Sequence, residues 1–441
     1  MTLTPPRTPP ARPAPTTPHR SGDRPEARRK PRTAPTGPAA ALLARIPRLD
    51  RDVLWLYFLT RIALWTTAYA TRHIFPADGD ARHAETTLSA WAQWDWVHYM
   101  HIARDGYFPD TPGPDLRPGD EGWDNREAFF PGFPLLLRAV HTAVPNWTAA
   151  GLLISLAAGA VAVLALARIA RHHFGDDRTA RLAVLFLLVS PCAVFLAAGY
   201  TEALFLALAL PAWLAALRGN WPHAALLACL ASSVRVSGLF LTAALAVHYA
   251  TTATTEARRR KATAHPRRPA EPRPSPWRHL PWLALPALPP ALYTWYLHTR
   301  TGDWMAWKHA EERGWHRRFH APWDAWQTTW NAAFDNTYPT GYAVEWQAEL
   351  LAMAVGVTLA TFLLVRRRWA EATYVALSLW ALGTSYWYMS IPRATLLWWP
   401  LWIMLAAAAH RRPYAKTAYL ALTAPLSTLL AATYLSGRWA G

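Results

Sequence analysis

The stretch Q-W-D-W-V-H-Y-M-H-I-A-R-D-G-Y, Gln93 to Tyr107, follows the first strongly apolar segment and sets a carboxylate between two tryptophans, with a histidine three residues on. The run from Leu88 to Gly106 is too polar to lie in hydrocarbon. Trp91, Trp94, Val97 and Met100–His101 recur at helical spacing, which predicts a helix lying in the membrane interface. Asp95, His98 and Tyr99, three and four residues apart, share another face of it. The segment therefore presents an acid at a membrane surface.

The rest of the chain supplies the membrane. Of 441 residues 52% are hydrophobic, and the 26 Trp suit a surface that meets lipid headgroups, where the indole ring is apolar and its N–H stays wet. The formal charge of +17 concentrates in the N-terminal tail and one internal loop, both beside apolar segments. That placement fits cytoplasmic flanks facing anionic lipid, and no nucleic-acid partner is expected. Cys192 and Cys229 each sit inside an apolar run and read as small buried hydrophobes rather than a disulfide framework. Residues 1–45, rich in Pro, Arg, Thr and Ala, hold almost no large apolar side chain before Leu42. They read as a disordered basic tail, not a cleaved signal peptide.

Apolar runs at 52–72, 148–170, 182–199, 200–217, 222–250, 280–299, 347–366, 369–388, 393–410 and 414–436 are candidate spans. With the basic tail inside, residues 73–128 lie outside and carry four Arg against eleven Asp and Glu. The loop 251–279, with eight Lys and Arg against two Glu, belongs inside. It gets there if 222–250 is a hairpin of two short helices turning at Arg235-Val236-Ser237-Gly238. The expected fold is therefore all-α and polytopic, with about 11 crossings, in one domain over 46–441. Residues 73–147 and 300–346 form its extracytoplasmic loops; the second holds seven Trp and reads as a cap or as plain membrane anchoring. This topology puts Asp95, Glu127, Glu202, Arg235 and Arg393 on one side of the membrane, where a shared aqueous cavity would hold them. A mid-segment arginine such as Arg235 has no structural reason to face lipid.

The run W-D-W-V-H-Y-M-H-I-A-R-D-G-Y followed by E-A-F-F-P-G-F-P-L-L-L-R resembles the signature of the PIG-V type mannosyltransferases, multi-spanning enzymes of the GT-C class. S-P-C-A-V-F-L-A-A-G-Y-T-E-A-L-F, S-S-V-R-V-S-G-L-F-L and S-I-P-R-A-T-L-L-W-W-P-L resemble later family segments in the family order, so the likeness runs from about 52 to 410. Gln93 and Ala394 depart from the pattern, where Arg and an aromatic are expected. The resemblance implies a GT-C-like fold and transfer of mannose from a polyprenyl-phosphate carrier to an extracytoplasmic glycan, lipid or protein. Asp95 would be the base, and Arg235 and Arg393 the phosphate partners. A lipid phosphate leaves readily, so a single carboxylate that deprotonates the acceptor hydroxyl suffices for inversion, and arginine forks balance the phosphate charge. His98, Tyr99, Glu127, Tyr200 and Glu202 are candidate wall residues.

Plainer accounts stand beside these. Asp95 can be an interfacial acid facing water, Glu202 an acid at a helix N-terminus, Arg393 a snorkelling cation. The pair Asp78-Gly79-Asp80 is a rival acidic motif of the metal-bound nucleotide-sugar type. No metal site or cofactor is expected. The setting expected is a multi-pass protein of a bacterial plasma membrane. A transporter or flippase of a lipid-linked substrate is the alternative, although no internal repeat is evident.

Overall fold

In the computed structural model, residues 46–75, 86–108, 125–263, 275 and 277–440 are described. The expected tail at 1–45 and the Asp78-Gly79-Asp80 pair lie outside them. Pro47–Gly441 forms one compact unit, and among the described residues every regular element is helical.

Helix α1 (Arg48–Tyr69) is followed by a short π turn, then by a 3-10 turn at Ser89–Trp91 and α2 (Asp95–Asp105). The helix expected from Leu88 thus begins only at Asp95, because Trp94 takes φ 52° and breaks the helical path. Trp91 and Trp96 are 1% and 2% exposed, so they are core side chains and only Trp94 keeps an exposed face. A second amphipathic piece, α3 (Gly132–His141), packs on α2, and Arg138 Nε donates to the Ala103 carbonyl at 2.5 Å near the end of α2.

The core is built on α4 (Trp147–Phe174), α5 (Asp177–Leu188), α6 (Thr201–Leu217) and α7 (Trp221–Val234), in which α4 packs on both α5 and α6 and α6 packs on α7. Small residues let these helices approach, the arrangement that helps helices associate in lipid. At Gly159 a Cβ would lie 2.3 Å from the Tyr57 hydroxyl, which donates to the Leu156 carbonyl at 2.8 Å. Asn146 and Asp176 cap α4 and α5 by accepting from Ala149 N and Thr179 N, and Gly175 ends α4 at φ 74°.

Then come α8 (Ser237–Thr263), α9 (Leu288–Thr301), α10 (Ala306–Trp315), α11 (Pro322–Phe334), α12 (Thr340–Val365), α13 (Trp369–Gly383), the single turn α14 (Ile391–Ala394), α15 (Trp399–Arg411) and α16 (Pro413–Leu435). The break at Arg235, where the backbone is extended, divides the run 222–250 into α7 and α8. Three other candidate spans are broken rather than continuous. The 182–199 run stops at Leu188 and turns through Ser190-Pro191 into the 3-10 piece Ala193–Leu196. The 280–299 run starts as a 3-10 helix, Leu280–Ala287, through its prolines, and 393–410 bends by 76° between Ile391–Leu397 and Trp399–Arg411. Among the described residues, α4, α12 and α16 are by length and composition long and apolar enough to cross a membrane, and the bent pair is a broken span or a re-entrant loop.

One end of the bundle is ion-paired, Arg168 with Asp50 at 2.7 Å and Arg181 with Asp52 at 3.1 Å, and there Arg368 also hydrogen-bonds His173 at 3.1 Å. The candidate site gathers elsewhere, beside the junction of α7 and α8 at Arg235. There a Cβ on Gly238 would stand 2.3 Å from the Ser232 Cα, a backbone atom that cannot rotate away. Gly238→Ala is expected to cost roughly 1–3 kcal/mol, the usual scale of overpacking, seen as a lower melting temperature in detergent. Gly341→Ala, with nothing within 4 Å, is the control and should leave the melt unchanged.

Candidate active site

Asp95 is the first residue of α2, where the helix dipole favours a negative charge. Two devices hold it there. Trp96 is slotted against two glycines: a Cβ on Gly151 or Gly199 would come within 2.4 Å or 2.5 Å of its ring. Trp94, with its left-handed φ, donates from Nε1 to the Arg438 carbonyl at 3.1 Å and meets Trp439 edge-on at 5.2 Å. A non-glycine residue at positive φ costs energy, so these contacts of the C-terminal segment offset a strain placed next to the acid.

Arg393 reaches the same point from the other end of the chain. Pro392 sits in the first turn of α14, and Ser390 before it takes φ 64°. Both carboxylate oxygens of Glu349, on α12, accept from this turn, from Ser390 N at 2.6 Å and Ile391 N at 2.9 Å. The guanidinium of Arg393 lies over the rings of Tyr200 and Phe195, 4.8 Å and 5.0 Å from their centroids. It donates from Nη1 to Asp95 Oδ2 at 2.7 Å and from Nε to Glu202 Oε1 at 2.6 Å. Arg235 Nη1 donates to that same Glu202 oxygen at 2.7 Å and to the Thr201 hydroxyl at 2.5 Å. Two acids and two arginines thus close a neutral cluster, as buried charges must.

Asp95, Tyr99, Arg235 and Arg393 line one wall of a cavity of about 190 Å³. Glu202 lies behind it, fully buried, and Tyr200 forms the floor beneath Arg393 while donating its hydroxyl to the Gln93 carbonyl at 2.8 Å. Burial, reinforced by Asp95, pushes the Tyr99 phenol well above its usual range, so it stays a donor. His98 stands aside from the lining and stacks on Phe129 at 4.8 Å. Glu127 is buried in the turn Arg126–Ala128, whose Glu127 carbonyl accepts from Tyr293 at 2.8 Å. Of the eight site residues expected from the sequence, Asp95, Tyr99, Arg235 and Arg393 line the cavity, two lie directly behind it and two beside it.

Several contributors escaped the sequence reading. Thr201 was passed over beside Glu202. Phe129, Glu311, Trp315, Arg317 and Trp439 also line the cavity, and Glu349 aims Arg393. Phe129 lies in the run E-A-F-F-P-G-F-P quoted above; nothing local singles out the others. Burial raises the Glu311 carboxyl above its ordinary value, with Arg317 pulling the other way. No group of three His, Cys, Asp or Glu among the described residues is arranged to hold a metal ion.

Apolar helices fit to cross a bilayer, together with a charged cavity built from separated segments, define an integral membrane protein with an enzyme-like site. The family model described as mannosyltransferase (PIG-V) matches residues 52–262 of the chain. GPI alpha-1,6-mannosyltransferase 2 from Mus musculus is 33% identical over 184 residues, 39% of this chain and 34% of that protein. The Homo sapiens protein of the same name is 32% identical over 185 residues, again 39% and 34%. The matched stretch therefore spans about a third of these relatives' length. Among solved structures, an Archaeoglobus fulgidus oligosaccharyltransferase is similar with TM-score 0.40 at 13% identity, over 87% of this chain and 53% of that one. The archaeal oligosaccharyltransferase in complex with an inhibitory peptide and a dolichol-phosphate gives 0.41 at 12%, over 87% and 56%.

Glu349→Ala leaves two backbone N–H groups without their acceptor, at about 1–3 kcal/mol each. A depressed melting temperature is expected, with Glu349→Gln, which keeps one acceptor oxygen, falling between the variant and the parent.

Proposed function

We propose that the chain is a GT-C-type membrane glycosyltransferase that moves mannose from a polyprenyl-phosphate carrier to an extracytoplasmic acceptor glycan, lipid or protein. In this reading Asp95 is the general base, Arg235 and Arg393 take the phosphate, and the setting is a bacterial plasma membrane. The observation that carries it is the 2.7 Å contact between Asp95 and Arg393 at the wall of a cavity that Arg235 also lines.

The chemistry follows from charge. Arg393 engages only Oδ2 of Asp95, so Oδ1 is the oxygen left to accept the proton of an acceptor hydroxyl. As that proton moves, the hydroxyl oxygen forms its bond to the anomeric carbon and the bond to the carrier phosphate breaks. Asp95 loses one negative charge while the departing phosphate gains one. Arg393, released from a neutralised acid, is then free to follow the charge to the phosphate. Arg235 and Arg393 can supply N–H forks to it without a general acid. The buried Glu202 keeps the two guanidinium groups beside each other when no phosphate is present.

Asp95→Asn keeps the shape and removes the base. It is expected to slow mannosyl transfer from labelled polyprenyl-phosphate mannose by roughly 10²–10⁴-fold, with a lowered melting temperature because the buried Arg393 loses one of its two counter-charges. Arg235→Ala should act instead mainly through the KM for the donor. Transfer at the parental rate by Asp95→Asn would exclude the base assignment.

A further inference from the structure

The cavity lining carries, besides the arginines, a second and differently built surface. Helix α10 ends at His316, which takes φ 54°, so the chain folds back and Arg317 N donates to the Glu311 carbonyl at 3.3 Å. That reversal sets the Arg317 Nε 3.0 Å from Glu311 Oε2, with the two side chains 25% and 29% exposed. Lys308 fastens the turn by donating to the Arg317 carbonyl at 3.2 Å. Beside the pair, Trp315 meets Phe129 edge-on at 5.3 Å, and both rings line the cavity with Glu311 and Arg317.

This wall suits a different chemistry from its counterpart. A carboxylate here repels a phosphate, which Arg235 and Arg393 attract. An indole beside a half-exposed carboxylate–guanidinium pair matches a neutral ring that has an apolar C–H face and adjacent hydroxyls. The indole packs against the C–H face, the carboxylate accepts from two hydroxyls, and the guanidinium donates to a third oxygen.

We propose that Glu311, Trp315 and Arg317 form a subsite for a neutral pyranose ring in the Asp95 cavity. The assignment rests on the glycosyltransfer reading for its biological sense and on the geometry of this wall for its chemistry. The ring belongs either to the acceptor saccharide or to the sugar of the donor; both present the same hydroxyl and C–H pattern.

The test uses the full chain in lipid nanodiscs with methyl α-D-mannopyranoside as the probe, followed by saturation-transfer difference NMR. The parent and Asp95→Asn should both show transfer to the sugar protons. Glu311→Gln and Trp315→Ala should lose it, and Trp315→Phe, which restores an aromatic face, should recover part of it. No signal from the parent, or parental signals from Glu311→Gln and Trp315→Ala, would overturn the subsite. Kinetics then separate the sources: a rise of about tenfold, the scale of one lost polar contact, in the KM for the acceptor assigns the ring to the acceptor. The same rise in the KM for the donor assigns it to the donor sugar, and parental values of both overturn the subsite. Sugar binding by a parent protein that transfers no mannose would sink the glycosyltransfer reading while leaving the subsite in place.

Discussion

Arg393 is the centre on which the rest of the structure depends. It is 5% exposed in a helical membrane protein, where an uncompensated guanidinium would be prohibitive. Each neighbour answers that constraint. Asp95 and Glu202 supply charge, Tyr200 and Phe195 supply π faces, and Glu349 fixes the turn from which the arginine projects. These residues come from α2, the turn before α6, α6 itself, α12 and α14. Burying one cation thereby draws together segments almost 300 positions apart. The site is a consequence of packing that charge as much as an addition to the fold.

Legibility in the sequence followed the range of the signal. Asp95, Glu202, Arg235 and Arg393 stood out because ionisable groups beside apolar runs demand partners, and the sign of the flanking loops put all four on one side. Their pairing was not legible, since it depends on contacts between distant segments. The division of 222–250 at Arg235 was legible for a similar reason: only a hairpin returned the basic loop to the inside. The breaks at Ser190-Pro191 and Trp398 were hidden, because mean hydropathy ignores where the backbone bends. The burial of Trp96 was not legible either. Helical spacing cannot reveal that Gly151 and Gly199, far along the chain, leave a slot for its ring.

The cavity walls divide the chemical labour by composition. One part sets two arginines against two acids and is fixed by buried ion pairs and two aromatic faces. The other comes from α10 and the residue after its end, with partly exposed side chains and a helix end set by the left-handed His316. A partly exposed helix end beside a fixed charged base is an arrangement in which recognition can vary while the reacting geometry is preserved.

Glu202 Oε1 accepts from both arginines at once, at 2.6 Å and 2.7 Å. The two cations therefore share one electron-rich oxygen and are thermodynamically coupled. Deleting either guanidinium concentrates that oxygen's charge on the survivor and draws it deeper into the protein. Losses from single replacements at the two positions will not sum in the double replacement, and the size of the discrepancy reports how strongly one atom ties them together.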